Sequence, residues 1–232
     1  MCFTCGIRPA SGFALLRSAC LLWALAAAAA PYQAIAQDKD ITEADPEAAK
    51  TAESHWIDNT RQVTFGGLRA GEGYFSRDGQ EMVFQSERDP ANPFYQIFLM
   101  DMASGDISRV SPGNGKTTCA WIHPQGGRVL FASTHGDPAS PELQKKELDF
   151  RASGQQRRYA WDYDPQFELY EYDRPTKKYR RLTDALGYDA EASYSPDGKT
   201  VLFASNRAAF GRELSDREKT LFEIDPASMI DI

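Results

Sequence analysis

Three stretches of the chain, 72–88, 119–135 and 191–207, align without a gap. They read EGYFSRDGQEMVFQSER, CAWIHPQGGRVLFASTH and EASYSPDGKTVLFASNR. Each joins a short alternating segment to a turn ending at Gly79, Gly126 or Gly198, then to an apolar run closed by Ser86, Ser133 or Ser205. The likeness extends further. An offset of 47 carries Val63-Thr64 onto Val110-Ser111 and Glu72 onto Cys119. An offset of 72 carries Gln96-Ile97-Phe98 onto Glu168-Leu169-Tyr170, Asp101 onto Asp173, and Cys119 onto Glu191. Short strands repeating at this spacing predict a radial or solenoid array.

Within one repeat four strands are predicted, at 72–76, 81–85, 96–101 and 107–111. The turn is clearest in Ser195-Pro196-Asp197-Gly198, where proline presets φ and glycine takes the left-handed conformation. Asp78 and Asp197 are accounted for as turn residues, not as catalytic carboxylates. The second strands, Met82-Val83-Phe84, Val129-Leu130-Phe131 and Val201-Leu202-Phe203, are apolar on both faces and therefore need cover on both sides. Four-stranded antiparallel sheets stacked around an axis provide it. The expected fold is all-β, a partial β-propeller. A β-sandwich would explain the short strands but not the gapless repetition.

The Ser-Pro-Asp-Gly-Lys turn, the Val-Leu-Phe-Ala-Ser-Asn-Arg run after it, the Arg-Arg-Leu-Thr exit and Leu221-Phe222-Glu223-Ile224-Asp225, read as a strand, carry a family resemblance. Together they resemble the WD-like propeller repeat of TolB-type periplasmic proteins, a repeat also found before prolyl-oligopeptidase-like hydrolases. The resemblance covers roughly 61–232 and implies a fold, not an activity. An offset of 124 carries Asp101 onto Asp225, so the heart of the next fourth strand would fall beyond Ile232. Closed propellers need about four to eight blades, so this array is expected to be an incomplete one, a fragment of a longer propeller.

The first 36 residues differ from the rest. Arg8 and Arg17 precede an apolar core from Ala19 to Ala30, and Ala34-Ile35-Ala36 supplies small residues for cleavage before Gln37. That order reads as a secretory signal peptide; the alternative is an uncleaved anchor, but the apolar core is short for a bilayer. Cys20 lies ahead of the main apolar run and does not fit a lipidation site. The periplasm of a Gram-negative-type cell is the expected location, with no integral span after cleavage. Residues 37–60 form an acidic segment in which Asp45-Pro46-Glu47 predicts a short helix through about Ser54. Cleavage leaves one cysteine, Cys119, so stability must come from packing and not from a disulfide. Losing two arginines also moves the formal charge from −7 to −9, which disfavours nucleic acid as a partner.

In a propeller the first strands lie nearest the axis. Glu72, Cys119 and Glu191 occupy equivalent positions and are predicted to converge at one channel mouth, with His135 on the channel-side face. The loop between the second and third strands opens on the same face, and its longest version, 136–167, carries Phe150, Tyr159, Trp161, Tyr163 and Phe167. Such insertions on a rigid scaffold suit partner recognition, although the same rings could simply pack the insertion down. Glu72, Glu191 and Cys119 could hold a divalent cation in the channel. Calcium would want more oxygens and zinc would want the thiolate, so hydrated channel-lining residues are the simpler reading. No Gly-x-Ser-x-Gly elbow, phosphate loop or dinucleotide fingerprint occurs in the sequence. The expected function is therefore non-catalytic binding of a protein or peptide partner in the cell envelope, with no cofactor. The alternative is the propeller portion of a prolyl-oligopeptidase-like hydrolase or a metal-dependent propeller enzyme.

Overall fold

The computed structural model describes residues 54–157 and 161–232. The signal segment 1–36, most of the acidic segment and nearly all of the helix predicted to end near Ser54 lie outside the described residues. Residues 54–59 belong to a unit separate from 60–232, and there His55 meets Trp56 edge-on at 5.0 Å.

Residues 60–232 form the repeat region. One antiparallel sheet comprises β1 (Arg69–Phe75), β2 (Glu81–Glu87), β3 (Gln96–Asp101) and β4 (Ile107–Arg109), in that order. A second comprises β5 (Thr117–Ile122), β6 (Arg128–Ser133), β7 (Glu168–Asp173) and β8 (Lys178–Arg181). The third holds only β9 (Asp189–Tyr194) and β10 (Val201–Ser205). The first strands begin two to three residues earlier than predicted. The turns are as read: Gly79, Gly126 and Gly198 have φ of 71°, 71° and 72°, a left-handed conformation that a side chain would strain. Ser76 Oγ donates to Asp78 Oδ1 and Ser195 Oγ to Asp197 Oδ1, each at 2.7 Å. These serine bonds, with backbone amides behind them, hold both carboxyls below the usual range.

The two-faced second strands explain how the sheets stack. On β2, Val83 faces the second sheet and packs with Ile97, Leu99, Val129 and Phe131. On β6, Leu130 and Ala132 face the other way, toward Ala190 and Ala192 of the third sheet and Tyr188 just before it. Polar ties lock the same interfaces. Arg174 grips Glu81 with two nitrogens at 2.8 and 2.7 Å, and the Tyr194 hydroxyl donates to Glu171 at 2.6 Å.

Two elements differ from the sequence reading. The 136–167 connection is not all loop: it contains α1 (Ser140–Ala152), which has proline in its first turn. After the single turn α2 (Arg207–Phe210) comes α3 (Asp216–Ile224), and the segment Leu221–Asp225, expected as a strand, forms its last turn and C-cap. The reason is local. Ser215 caps α3 by accepting from the Glu218 amide, and the Glu218 carboxylate accepts from the Ser215 amide at 2.8 Å. This reciprocal capping box outweighs the strand pattern that follows it. A 3-10 turn, Pro226–Met229, comes after it.

Candidate functional site

Each first strand contains a β-bulge at the same place. Pairing slips between Gly71 and Tyr74, between Thr118 and Trp121, and on β9 opposite the step from Leu202 to Ala204. In each case two residues oppose one phenylalanine of the second strand, Phe84, Phe131 or Phe203. The first of the two is Glu72, Cys119 or Glu191, with φ of 50°, 46° and 53°. Left-handed backbone at a residue with a side chain costs on the order of 1–2 kcal/mol. Bulges of this kind re-aim a side chain. Small residues follow: Gly73, Ala120 and Ala192, and a Cβ at Gly73 would come within 3.1 Å of Met82 Sδ.

Two of the three bulge residues touch, Cys119 and Glu72, and Glu191 lies within electrostatic reach of both. The Cys119 thiol donates to Glu72 Oε2 at 3.0 Å, and its backbone N–H donates to Gln85 Oε1 at 3.2 Å. Cys119 is buried, whereas Glu72 and Glu191 reach solvent. Desolvation first and the Glu72 charge second raise the Glu191 carboxyl above the usual range. Burial pushes the Cys119 thiol far above its ordinary value, and Glu72 and Glu191 add to that. The thiol therefore stays protonated and acts as a hydrogen-bond donor. Among the described residues, no group of three or more His, Cys, Asp and Glu side chains is arranged to hold a metal ion.

Tyr188, which the sequence reading missed, ties this group to the insertion. Burial raises its hydroxyl strongly, and the nearby Cys119, Glu191 and Glu72 raise it further. Trp161 stands edge-on to its ring at 5.0 Å, Tyr163 stacks on it at 5.8 Å, and Phe167 meets it at 5.3 Å. The Tyr163 hydroxyl accepts from Asn206 at 2.9 Å. Trp161 and Tyr163 thus pack the insertion down. They also line, with Phe150, Phe94, Lys116 and Arg157, a cavity of about 430 Å³. Arg157 lies over the Phe150 ring at 4.7 Å. Tyr159 lies outside the described residues. The only sequence signal for Tyr188 is its place just before the third bulge strand, where the other repeats carry Arg69 and Lys116.

The insertion is tied to the first sheet by charge. Arg151 of α1 donates to Glu87 at 2.6 Å, to Glu147 at 2.9 Å and to the Pro93 carbonyl at 2.7 Å. Gln144 accepts from the Gly115 amide at 3.2 Å and donates to the Ala91 carbonyl at 2.6 Å.

His135, predicted on the channel-side face, does not join Glu72, Cys119 and Glu191. Its ring lies 4.0 Å from Tyr170 and 5.9 Å from Tyr179, on the outer strands β7 and β8, and its Nδ1 meets Ser133 Oγ at 2.9 Å. The chain turns away after Ser133, which carries the imidazole toward the outer strands instead of the axis. Burial, with Arg181 behind it, pushes the imidazole down to about 4. Its counterpart Arg207 instead pairs with the fully buried Asp189. In the first sheet the aspartate position is Ala70, and Arg88 keeps a buried Nη2 with no partner.

Repeated antiparallel sheets stacked face to face, with bulged first strands meeting at one end, define part of a β-propeller. No family model matches the chain. Among solved structures it is similar to a TolB of Agrobacterium tumefaciens, at 22% identity and a TM-score of 0.45, over 62% of this chain and 41% of that one. A TolB of Acinetobacter baumannii matches at 23% identity and 0.44, over 62% and 29%. A prolyl endopeptidase matches at 16% and 0.41, over 59% and 18%. The chain thus spans less than half the length of each.

Proposed function

We propose that this chain is a non-catalytic, exported TolB-like propeller segment that binds a protein or peptide partner of the cell envelope. Its binding face is the channel mouth at Glu72, Cys119 and Glu191 together with the adjoining insertion. The observation that carries this reading is the repeated use of a strained bulge to bring two acidic side chains within electrostatic reach of Tyr188, whose ring packs against Trp161 and Tyr163. Non-glycine residues held at positive φ tend to cluster where function is served. Acidic groups framed by aromatic rings suit a partner segment bearing a cationic and apolar pair of side chains. The cavity between α1 and the loops gives a further apolar anchor site, since Arg157 is already neutralised by Glu147 at 2.7 Å and Lys116 by Asp164 at 3.2 Å.

The test is capture from an envelope extract with the full chain and with the double variant Glu72→Gln, Glu191→Gln, which keeps side-chain size. A partner retained by the parent and lost by the variant is expected. Equal capture by both, with each chain folded by circular dichroism, overturns the assignment of the mouth.

A further inference from the structure

The third sheet has an open edge. β2 pairs with β3 from Glu81 to Ser86, and β6 with β7 from Arg128 to Ser133. Among the described residues, their counterpart β10 pairs with β9 and otherwise has only the bridge from Ser205 to Asp231. Leu202 is 58% exposed, whereas its counterparts Val83 and Leu130 are both 0%. Helix α3, meanwhile, buries none of its residues: Leu221 is 41% exposed and Ile224 76%. Its Phe222 meets Phe210 edge-on at 5.6 Å. An amphipathic helix normally earns its place by burying one face, and this one does not.

We propose that residues 220–225 exchange between the end of helix α3 and a third strand laid antiparallel on β10. The internal repeat names this occupant, since Leu221-Phe222-Glu223-Ile224-Asp225 aligns with Ile97–Asp101 and Leu169–Asp173. It also fixes the register. Gln85 lies opposite Ile97, and Ala132 opposite Leu169, so Ala204 falls opposite Leu221 and Ser205 opposite Thr220. Ser205 now exchanges two backbone hydrogen bonds with Asp231, each at 2.8 Å, so the two arrangements exclude one another. In the strand form Phe222 and Ile224 share a face with Val201 and Phe203, which pack against the Tyr188 cluster. The connection 206–219 is longer than 88–95, which makes the same return in the first sheet. The helix is held by the Ser215–Glu218 capping box and by Arg212, which donates to Glu218 at 2.6 Å. Local capping favours one state and strand pairing the other, the condition for a two-state element.

Engineered cross-links on the full chain distinguish the states. Under mild oxidation the double variant Ala204→Cys, Leu221→Cys is expected to form an intramolecular disulfide, located by peptide mass mapping and absent from either single variant. Phe210→Cys, Phe222→Cys reports the helix. Adding Glu218→Ala to the first pair removes the cap and is expected to speed its closure about five-fold. The proposal is overturned if the strand pair yields no intramolecular disulfide, or only linked dimers, while the helix pair closes; it is also overturned if Glu218→Ala leaves the closure rate unchanged.

Discussion

The Cys119 thiol donates to Glu72 Oε2 at 3.0 Å, joining equivalent bulge positions of neighbouring sheets. The contact exists because each bulge turns its residue out of the pleat at positive φ. Strained backbone, a protonated thiol and an elevated carboxyl therefore have one geometric origin.

The strain is separable from the carboxylate at Glu191. Glycine adopts its φ of 53° freely, whereas a β-branched residue resists it. Glu191→Gly is expected to change stability by less than about 1 kcal/mol, since relief of strain offsets the added freedom of the unfolded chain. Glu191→Val is expected to cost about 1–2 kcal/mol. Urea denaturation of the two variants beside the parent checks the contrast.

The raised Glu191 carboxyl sets a sign for pH dependence. The folded state holds this proton more tightly than the unfolded state, so the contribution favours folding below the ordinary carboxylate range and is lost as pH rises through the raised value. Glu191→Gln is therefore expected to gain in melting temperature relative to the parent between about pH 4 and pH 7. A difference that stays flat across that range contradicts the shift.

His135 titrates with the opposite sense. Its folded value near 4 lies below the ordinary imidazole value, so its contribution is complete above about 6.5 and is lost as pH falls toward 4. His135→Phe keeps the stack on Tyr170 and is expected to remove about 1 kcal/mol of acid sensitivity, after allowance for solvent screening of the half-buried ring. Melting curves from pH 7 to 4 measure it.

Cys119 is expected to resist alkylation at pH 8 in the folded chain and to react at least a hundred-fold faster in denaturant, because thiolate is scarce and the group is buried. Glu72→Gln removes the neighbouring negative charge and is expected to raise the folded rate. Mass mapping at Cys119 reads both.

The buried Nη2 of Arg88 lacks a hydrogen bond and invites repair from within the molecule. Ala70→Asp supplies the carboxylate that Asp189 gives Arg207 and is expected to add about 0.5–1.5 kcal/mol. Asp189→Ala is expected to cost about 3 kcal/mol, because it leaves Arg207 and Ser205 without their buried acceptor. Thermal melts of both variants compare the two.

The internal repetition made the sheets, their turns and the contact of Glu72 with Cys119 legible, because register alone fixes which residues of a stacked array are neighbours. It did not reveal the bulges. An extra residue is shared by all three copies, so the aligned sequences show no gap at it. His135 was misplaced because its path follows the chain leaving β6, which strand register does not describe. Tyr188 stayed invisible because its role arises from rings some 25 residues upstream folding back onto it. Leu221–Asp225 was misread as a strand because the repeat pattern says nothing of the four-residue cap beginning at Ser215, which decides the conformation.

The most direct measurement places a photo-cross-linking residue singly at 72, 191 and 150, and for comparison at 78 and 197, turns at the far ends of the same strands. The full chain is irradiated in an envelope extract. Cross-links to one common protein from 72, 191 and 150, with none from 78 and 197, are the expected result. Equal labelling at all five positions, or labelling confined to 78 and 197, contradicts a binding face at the channel mouth.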